Sequence, residues 1–455
     1  MKKLLVKTLG CKVNQCESEA IMNALVGPKA GFASATDGQA DVVIVNTCTV
    51  TGKAAMQSRQ AVRQAIRNHP GARIVVTGCH AQTSPAELAA IEGVDLVIGN
   101  RDKHLIPERI LSDLSMDGRA DGLTACPSLA LPRPFDALPG IAHGERTRPF
   151  LKIQDGCNTF CTYCIVPHAR GRSRSLPVAQ VLDQIAELGR LGYHEVVLTG
   201  IHIGCYGQDL SPSVGLYDLL CRIRDAGAVS RVRLSSIEPA ELSDAIIDLA
   251  NVGERVPGRL CPHFHVPLQS GDDQILKRMH RPYDREFFKE RVLAIVDRLP
   301  DAAIGVDTLI GFPGESEMAF ENTYQLIEAL PVSYLHVFPF SARQGTPAFS
   351  FDNQVPPQIV KNRCQRMRRL GENKRSYFYR RSIGKTVTVL VEETRDKLDG
   401  RLKGLAPNYL PVRFQGPDEW YNTFQPVTVQ RLSGDGLLEG KPSLTSDYGD
   451  QGHAA

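Results

Sequence analysis

Three cysteines, Cys157, Cys161 and Cys164, stand at C-x3-C-x2-C spacing in the stretch Cys157-Asn158-Thr159-Phe160-Cys161-Thr162-Tyr163-Cys164. Three thiolates in one short loop can hold three irons of a cubane 4Fe-4S cluster and leave the fourth iron open to a small molecule. An iron of that kind is one of the places where proteins start radical chemistry from S-adenosylmethionine (SAM). The competing reading is a structural zinc site, which would want a fourth Cys or His. His168 is near in sequence, but it follows Pro167 and its spacing is wrong for that role.

A second set of cysteines becomes visible once strands are assigned. Short apolar runs at 3–8, 41–46, 73–77 and 95–98 read as strands, and 53–68 between two of them reads as a helix with Ala54, Ala61, Val62, Ala65 and Ile66 along one stripe. Strand–helix–strand repetition predicts a parallel α/β sheet. Cys11 follows the first strand in Leu9-Gly10-Cys11, Cys48 the second in Asn46-Thr47-Cys48, and Cys79 the third in Thr77-Gly78-Cys79. The carboxyl ends of parallel strands share one edge, where ligands bind. Three cysteines far apart in sequence are therefore expected at one place, as a second three-thiolate site. The alternative is three unrelated buried cysteines, since free Cys is commonly buried. Cys16 rivals Cys11 but falls inside the following helix.

The rest of the chain must position these loops. At 455 residues it is too long for one ordinary domain. Apolar residues at 42% supply ample core, and a net charge of +3 leaves nucleic-acid binding to local basic patches. The opening MKKLLVKTLGCK reads as a first strand rather than a signal peptide. No apolar run reaches transmembrane length. A cytoplasmic protein with twelve reduced cysteines is expected, its clustered cysteines being metal ligands or catalytic thiols.

Prolines 127, 132, 134 and 139 mark a linker over 126–147. Strand patterns then recur at 150–154, 195–199, 232–236, 264–268, 304–310 and 334–338, separated by helical patterns at 177–191, 217–226, 240–251, 285–299 and 315–330. Repeated βα units of this number predict a partial (β/α)6 barrel with its active site at the strands' carboxyl ends, the side that carries Cys157–Cys164. A basic stretch follows, with Lys361, Arg363, Arg366, Arg368, Arg369, Lys374, Arg375, Arg380 and Arg381. It is either a solvated connector or a phosphate-contacting surface. Alternating residues at 386–392 and 427–432 predict a small β-barrel of about five strands, a module that often binds oligonucleotides. The polar end from 441 is expected to be disordered.

These motifs occur together in a known family. TLGCKVNQ, VNTCTVT, TGCHAQ, CNTFCTYCIVPHARG, HVPLQSG, DTLIGFPGES and FSARQGTPA, in that order, resemble the radical SAM methylthiotransferases over essentially the whole chain. The resemblance implies an N-terminal methylthiotransferase domain at 1–125, a linker at 126–147, a radical SAM core at 148–381, a TRAM-like barrel at 382–440 and a tail at 441–455. It implies two 4Fe-4S clusters, one on Cys157, Cys161 and Cys164, the other on Cys11, Cys48 and Cys79. It also implies SAM contacts at Tyr163, Thr199, Gly200, Ser236 and Gln269, with ordinary packing as the alternative for each. Asp307 and the turn Gly311-Phe312-Pro313-Gly314 end a strand at the same edge.

Family members differ in target: isopentenyladenosine in tRNA, threonylcarbamoyladenosine in tRNA, or an aspartate of a ribosomal protein. The segment Val197-Leu198-Thr199-Gly200-Ile201-His202-Ile203-Gly204, with Tyr206-Gly207 after it, resembles the threonylcarbamoyladenosine branch. The expected activity is methylthiolation of adenine C2 next to the anticodon. The expected partners are a tRNA anticodon stem-loop and a cellular electron donor, with neither membrane nor DNA. Arg170, Arg172 and Arg174 follow the cysteine loop and are candidates to clamp anticodon-loop phosphates; the alternative is surface or ion-paired arginines. A non-catalytic RNA-binding iron–sulfur module is the reading from another class. Cys16, where a tyrosine is more usual in the family, and Cys205 are thiols without an assigned role.

Overall fold

The computed structural model describes residues 1–28, 30–35, 39–113, 123–129, 134–138, 144, 146–253 and 256–443. The first sheet is parallel and six-stranded: β1 (Lys2–Thr8), β2 (Phe32–Ser34), β3 (Val42–Thr47), β4 (Arg73–Gly78), β5 (Leu96–Ile98) and β6 (Leu123–Ala125), in the order β2-β1-β3-β4-β5-β6. Every residue of β3 is buried, as a parallel strand covered on both faces requires. Its side chains alternate between two cores. Val43 and Val45 pack with Val62 and Ala65 of helix Gly52–Asn68, and Val42 and Ile44 with Ile21 and Leu25 of helix Lys12–Leu25. Thr51 starts the Gly52–Asn68 helix by accepting the Ala54 N–H at 3.1 Å. The three-residue edge strands β2 and β6 escaped the sequence pattern because so short a run shows no alternation.

The second unit is an open barrel of parallel strands. β7 (Phe150–Lys152) leads into a two-residue antiparallel ladder between β8 (Gln154–Asp155) and β9 (Arg174–Ser175), which closes the base of the cysteine loop. β10 (Glu195–Thr199), β11 (Arg231–Leu234) and β12 (Arg259–Leu260) complete one sheet in the order β12-β11-β10-β7. β13 (His263–His265), β14 (Ala303–Ile310) and β15 (Tyr334–Pro339) form the other. The expected barrel is present, but the segment 259–265 changes sheets midway. Pro262, which has no N–H to give to a ladder, stands at the change. The helix expected at 240–251 is shorter: Pro239–Glu241 forms a 3-10 turn, and Ser243 then caps helix Asp244–Leu249 through the Ile246 N–H.

The basic stretch is helix Pro357–Arg380, and part of its charge is used in packing. Buried Arg363 lies 2.8 Å from Glu315 and 2.9 Å from Glu317, Arg366 lies 2.8 Å from Glu321, and Lys374 Nζ donates to the Leu330 carbonyl at 2.7 Å. Lys361, Arg368, Arg369, Arg375, Arg380 and Arg381 are exposed.

The last unit is a closed barrel: β16 (Thr386–Val391), β17 (Leu402–Leu405), β18 (Pro411–Phe414), β19 (Phe424–Leu432) and β20 (Leu438–Pro442), in the order β16-β17-β18-β20-β19. β20 continues into the part expected to be disordered, because Thr428 and Val427 of β19 pair with Lys441 and Pro442. Residues 444–455 of that tail, and Pro132 and Pro139 of the expected linker, lie outside the described residues.

The turn between β17 and β18 plugs the open barrel. Arg231 and Arg233 are fully buried, share the buried carboxylate of Glu195 at 2.5 and 2.7 Å, and donate to the carbonyls of Leu405, Pro407 and Ala406. Tyr409 stacks on His263 with ring centroids 4.3 Å apart. Glu195→Gln would leave two buried guanidiniums sharing no anion. It is expected to cost about 3–5 kcal/mol, read as a shift of the denaturant midpoint; a change below about 1 kcal/mol would show that the carbonyls alone satisfy the arginines.

Candidate iron–sulfur and cofactor site

Cys11, Cys48 and Cys79 each stand just past the carboxyl ends of β1, β3 and β4. Local geometry brings them together. Gly10 and Gly78 adopt positive φ, 98° and 99°. A Cβ on Gly10 would lie 2.8 Å from Cys48 Cβ, and one on Gly78 would collide with the Thr47 carbonyl. Asn14 ties two loops by donating to the Leu9 carbonyl (2.8 Å) and the Thr47 carbonyl (3.0 Å). The thiols are close enough to repel one another as anions. Burial pushes the Cys11 thiol up and the Cys48 thiol up to about 11. Cys16 is buried inside helix Lys12–Leu25, with Sγ 3.2 Å from the Phe150 carbonyl.

The loop Cys157–Cys164 follows β8. Phe160 takes a left-handed φ of 50° in the turn between the first two cysteines. Burial pushes the Cys164 thiol up to about 12 and raises Cys161. Burial also opposes ionisation of Cys157, but hydrogen bonds from His202 and Thr159 outweigh it and hold this thiol below its ordinary range. His202 Nδ1 is 3.4 Å from Cys157 Sγ and 3.6 Å from Cys205 Sγ, and its Nε2 is 2.6 Å from Glu241. Arg281 Nη1 donates to Cys161 Sγ at 3.3 Å, while its other nitrogens hold Glu238 and Tyr283. His168 is exposed, edge-on to Phe160.

The two triads are held against each other. Helix Cys79–Thr83 packs on helix Val166–Arg170, which follows Cys164. Asn100 donates to the Ala169 carbonyl at 2.8 Å and reaches Cys79 Sγ at 3.5 Å. Beneath them lies a buried ion network. Arg170 contacts Glu17 and Asp155 at 2.9 and 3.0 Å and Asn14 at 2.6 Å; Lys152 contacts Glu17 at 2.9 Å; Lys103 contacts Glu17 at 2.5 Å. On the far side, Arg343 donates to Thr49 at 2.6 Å and Ser341 accepts the Gly52 N–H at 2.9 Å, so FSARQGTPA reaches the loop after Cys48.

This geometry corrects the reading of the arginines. Arg170 is fully buried and its guanidinium is spent on Glu17, Asp155 and Asn14, so it is not placed to touch an RNA phosphate. Arg174 is half-buried, 3.4 Å from Asp155. Arg172 alone of the three is exposed, over the exposed Phe160 ring at 4.9 Å. Nothing in the spacing R-G-R-S-R separates them; only the partner carboxylate 153 positions away does.

Of the five residues carried as SAM contacts, Thr199, Gly200, Ser236 and Gln269 lie at or shortly past strands of the open barrel, and Tyr163 lies in the cysteine loop. Thr199 ends β10 and Ser236 follows β11. Gln269 takes a φ of 67° and donates its N–H to the Asp307 carbonyl at 2.8 Å. Gly200 has a packing reason: a Cβ there would lie 2.9 Å from Gln154 Oε1, which accepts the N–H groups of Ile201 and His202. Tyr163 packs its ring edge-on against Phe312, with Met279 in the same cluster. Two hydroxyls at these ends, Ser235 Oγ and Thr308 Oγ1, are buried without a hydrogen-bond partner among the described residues, as a site for a polar small molecule would leave them. His202, Glu238, Glu241 and Arg281 escaped the sequence reading because each stands in a turn, where polar residues are ordinary.

Two thiol triads, with Cys48, Cys79 and Cys161 buried and burial raising Cys11, Cys48, Cys161 and Cys164, and with orphaned hydroxyls at the barrel's strand ends, fit cluster irons as the balancing charge. An iron–sulfur barrel enzyme using SAM is the class that this fold and site define. The model of the Radical SAM superfamily matches residues 151–327, and that of the Uncharacterized protein family UPF0004 matches residues 3–99. The chain is 38% identical to the threonylcarbamoyladenosine tRNA methylthiotransferase MtaB of Bacillus subtilis (strain 168), over 94% of each chain. It is 37% identical to the protein of the same name from Aquifex aeolicus (strain VF5), over 92% of this chain and 98% of that one. A tRNA-2-methylthio-N(6)-dimethylallyladenosine synthase of Ehrlichia canis (strain Jake) is 30% identical over 94% and 97%. In fold it is similar to the radical SAM methyltransferase TsrM of Kitasatospora setae, solved with cobalamin and a 4Fe-4S cluster, at a TM-score of 0.54 and 14% identity over 76% of this chain and 77% of that one. The chain belongs to the radical SAM methylthiotransferase family, and SAM and a 4Fe-4S cluster come with that membership.

Breaking the network should loosen the two cysteine-bearing units from each other. Arg170→Gln removes the one side chain that joins Glu17, Asp155 and Asn14, leaving Lys152, Lys103 and Arg174 as the remaining cations, and is expected to cost about 3 kcal/mol, with faster amide exchange in helix Lys12–Leu25; Arg172→Ala should change neither. Unchanged exchange in the Arg170 variant would refute its bracing role. Burial opposes the charges of Glu17 and Asp155, but Arg170 and the lysines outweigh it and depress both carboxyls well below their usual range. A depressed acid stabilises above its unfolded value, about 4, and loses that contribution as pH falls through the folded one. The wild-type denaturant midpoint should therefore drop more steeply below about pH 4 than that of Glu17→Gln.

Proposed function

We propose that this protein adds a methylthio group to C2 of N6-threonylcarbamoyladenosine next to the anticodon of tRNA. The observation that carries the reading is the meeting of two thiolate triads at strand ends, bridged by one buried network. The names of the relatives at 37–38% identity supply the nucleoside.

Adenine C2 is an unactivated aromatic carbon, beyond the reach of side-chain acid–base chemistry. The clusters and SAM, when bound, supply the radical that takes its hydrogen and the sulfur and methyl that replace it. The chain's part is to hold and aim. Cys157, Cys161 and Cys164 would hold the first cluster and Cys11, Cys48 and Cys79 the second. His202 and Arg281 stabilise the thiolates of Cys157 and Cys161. Arg170, whose positive charge eases ionisation of Cys11, ties the second site to the loop of the first. Thr199, Ser236 and Gln269, with Ser235 and Thr308 beside them, are the polar lining for SAM. Arg172 and Phe160 offer a cation and an exposed ring to a splayed loop nucleotide, as single-stranded RNA is read. The closed barrel and the exposed cations of helix Pro357–Arg380 extend that surface toward the rest of the tRNA. An electron donor must also dock. Among the described residues no helix is long and apolar enough to cross a membrane.

Mass spectrometry of tRNA nucleosides from a deletion strain tests the reading. The 2-methylthio form should disappear and N6-threonylcarbamoyladenosine should accumulate; intact modification would overturn it. A missing methylthio-isopentenyl nucleoside or a missing ribosomal-protein modification would reassign the target. Reconstituted protein should carry about eight irons per chain. Cys157→Ala should abolish deoxyadenosine formation from SAM. Cys48→Ala should retain it while making no methylthio product; product formation by Cys48→Ala would refute the second site.

A further inference from the structure

Where the three units meet, a cavity of about 380 Å³ opens between Lys12, Arg148, Phe150, Arg233, Glu392 and Tyr409. That volume is in the range of ordinary ligand pockets, about 300–1,000 Å³. Each unit supplies a wall. Lys12 is the first residue of helix Lys12–Leu25 and directly follows Cys11. Phe150 and Arg233 come from β7 and β11, and Glu392 and Tyr409 from the closed barrel.

The charges in this cavity do not balance. Arg233 is committed to Glu195 and to the carbonyls of Ala406 and Pro407. Arg148 gives one nitrogen to Glu392 at 2.7 Å. Arg146 is paired with Glu19 and exposed. Glu393 is exposed at the rim, and Asp307, deeper in the barrel, is held by His265 at 2.7 Å and His336 at 3.2 Å. Lys12, half-buried, has no hydrogen-bond or ion-pair partner among the described residues; the charges that act on it are the guanidiniums of Arg233 and Arg148 and, more weakly, the carboxylate of Asp307, which His265 and His336 already hold. A half-buried ammonium near two guanidiniums and one already committed carboxylate costs stability unless a further anion joins it.

The substrate proposed above carries such an anion. In a purine, C2 and C6 flank N1, so a substituent on N6 leaves the ring along the same edge as the carbon to be modified. A base whose C2 faces the cluster of Cys11 therefore sends its N6 substituent toward the residues beside that cluster. Lys12 is the next residue. We propose that this cavity is the subsite for the carboxylate of the threonylcarbamoyl group, with Lys12 and the free nitrogens of Arg148 as its contacts. The proposal rests on the reading of the target nucleoside. It makes the cavity the place where an N6 substituent with a carboxylate is distinguished from one without.

The test uses the full chain reconstituted with iron and sulfide. The substrates are two synthetic anticodon stem-loops: one with the threonylcarbamoyl group as the free acid, the other with the same group as its methyl ester. Wild type is expected to prefer the acid in kcat/KM by about 10- to 100-fold, the effect of one charged hydrogen bond. Lys12→Gln should erase most of that preference, chiefly through KM, and Lys12→Arg should retain it. Arg148→Gln should reduce it. Iron content separates cluster loss from subsite loss; if Lys12→Gln loses iron, Arg148→Gln, which is not adjacent to any proposed cluster ligand, decides. Equal use of acid and ester by wild type overturns the proposal and leaves the functional reading standing. So does an equal loss on both RNAs in the variants, the result expected if the cavity holds an RNA phosphate. Wild type that modifies neither RNA, yet modifies the isopentenyl counterpart, removes the functional reading and the proposal with it.

Discussion

The two cysteine triads depend on one buried set of charges. Glu17 lies in the helix that follows Cys11, Asp155 and Lys152 in the strands that lead to Cys157, Arg170 in the helix after Cys164, and Lys103 in the turn after β5. Burying five charged groups is costly, and each is tolerable only because the others are in place. The cost has a geometric return. Hydrophobic contact between two α/β units is non-directional and leaves sliding room, whereas a carboxylate held by three cations at 2.5–2.9 Å does not. The set also carries more cations than carboxylates. Arg170 is close enough to Cys11 and Cys79 for their thiolates to raise its own affinity for the proton, so the surplus cation would be matched if those thiols ionise. The brace and the N-terminal cysteine triad are therefore electrically coupled.

The closed barrel plays a second structural part beyond any surface it offers to RNA. A six-stranded open barrel leaves its lumen unfilled at one end, and here two buried arginines would be stranded there. The turn between β17 and β18 supplies their carbonyl partners and a tyrosine ring. Glu195, at the start of β10, neutralises both. The unit at the chain's end thus completes the core of the unit in its middle, and the cavity beside Lys12 exists only because all three units contribute walls.

Much of this was legible in the residues. The three cysteines of the barrel loop are adjacent in sequence, so their chemistry needed no fold. Cys11, Cys48 and Cys79 needed only the rule that parallel strands end on one edge, since each follows an apolar run. The arginines after Cys164 were not legible. Arg170 ends a short helix, Arg174 begins a two-residue strand and Arg172 lies between them, and whether each meets solvent or a carboxylate depends on Glu17 and Asp155, which the spacing does not place. The basic helix divides the same way: Arg363 and Arg366 meet acids of a helix more than forty positions earlier.

By itself, then, the sequence determined which cysteines stand at strand ends, the order of α/β units and barrel, and the family with its radical chemistry, because local spacing and strand periodicity carry that information. Only the tertiary structure decided which charges are buried, that Arg170 braces while Arg172 faces outward, that the final barrel plugs the central one, and that Lys12, unpaired among the described residues, lines a shared cavity. Those facts are set by side chains meeting across domain boundaries, and no periodicity within one segment encodes a partner held a hundred or more residues away.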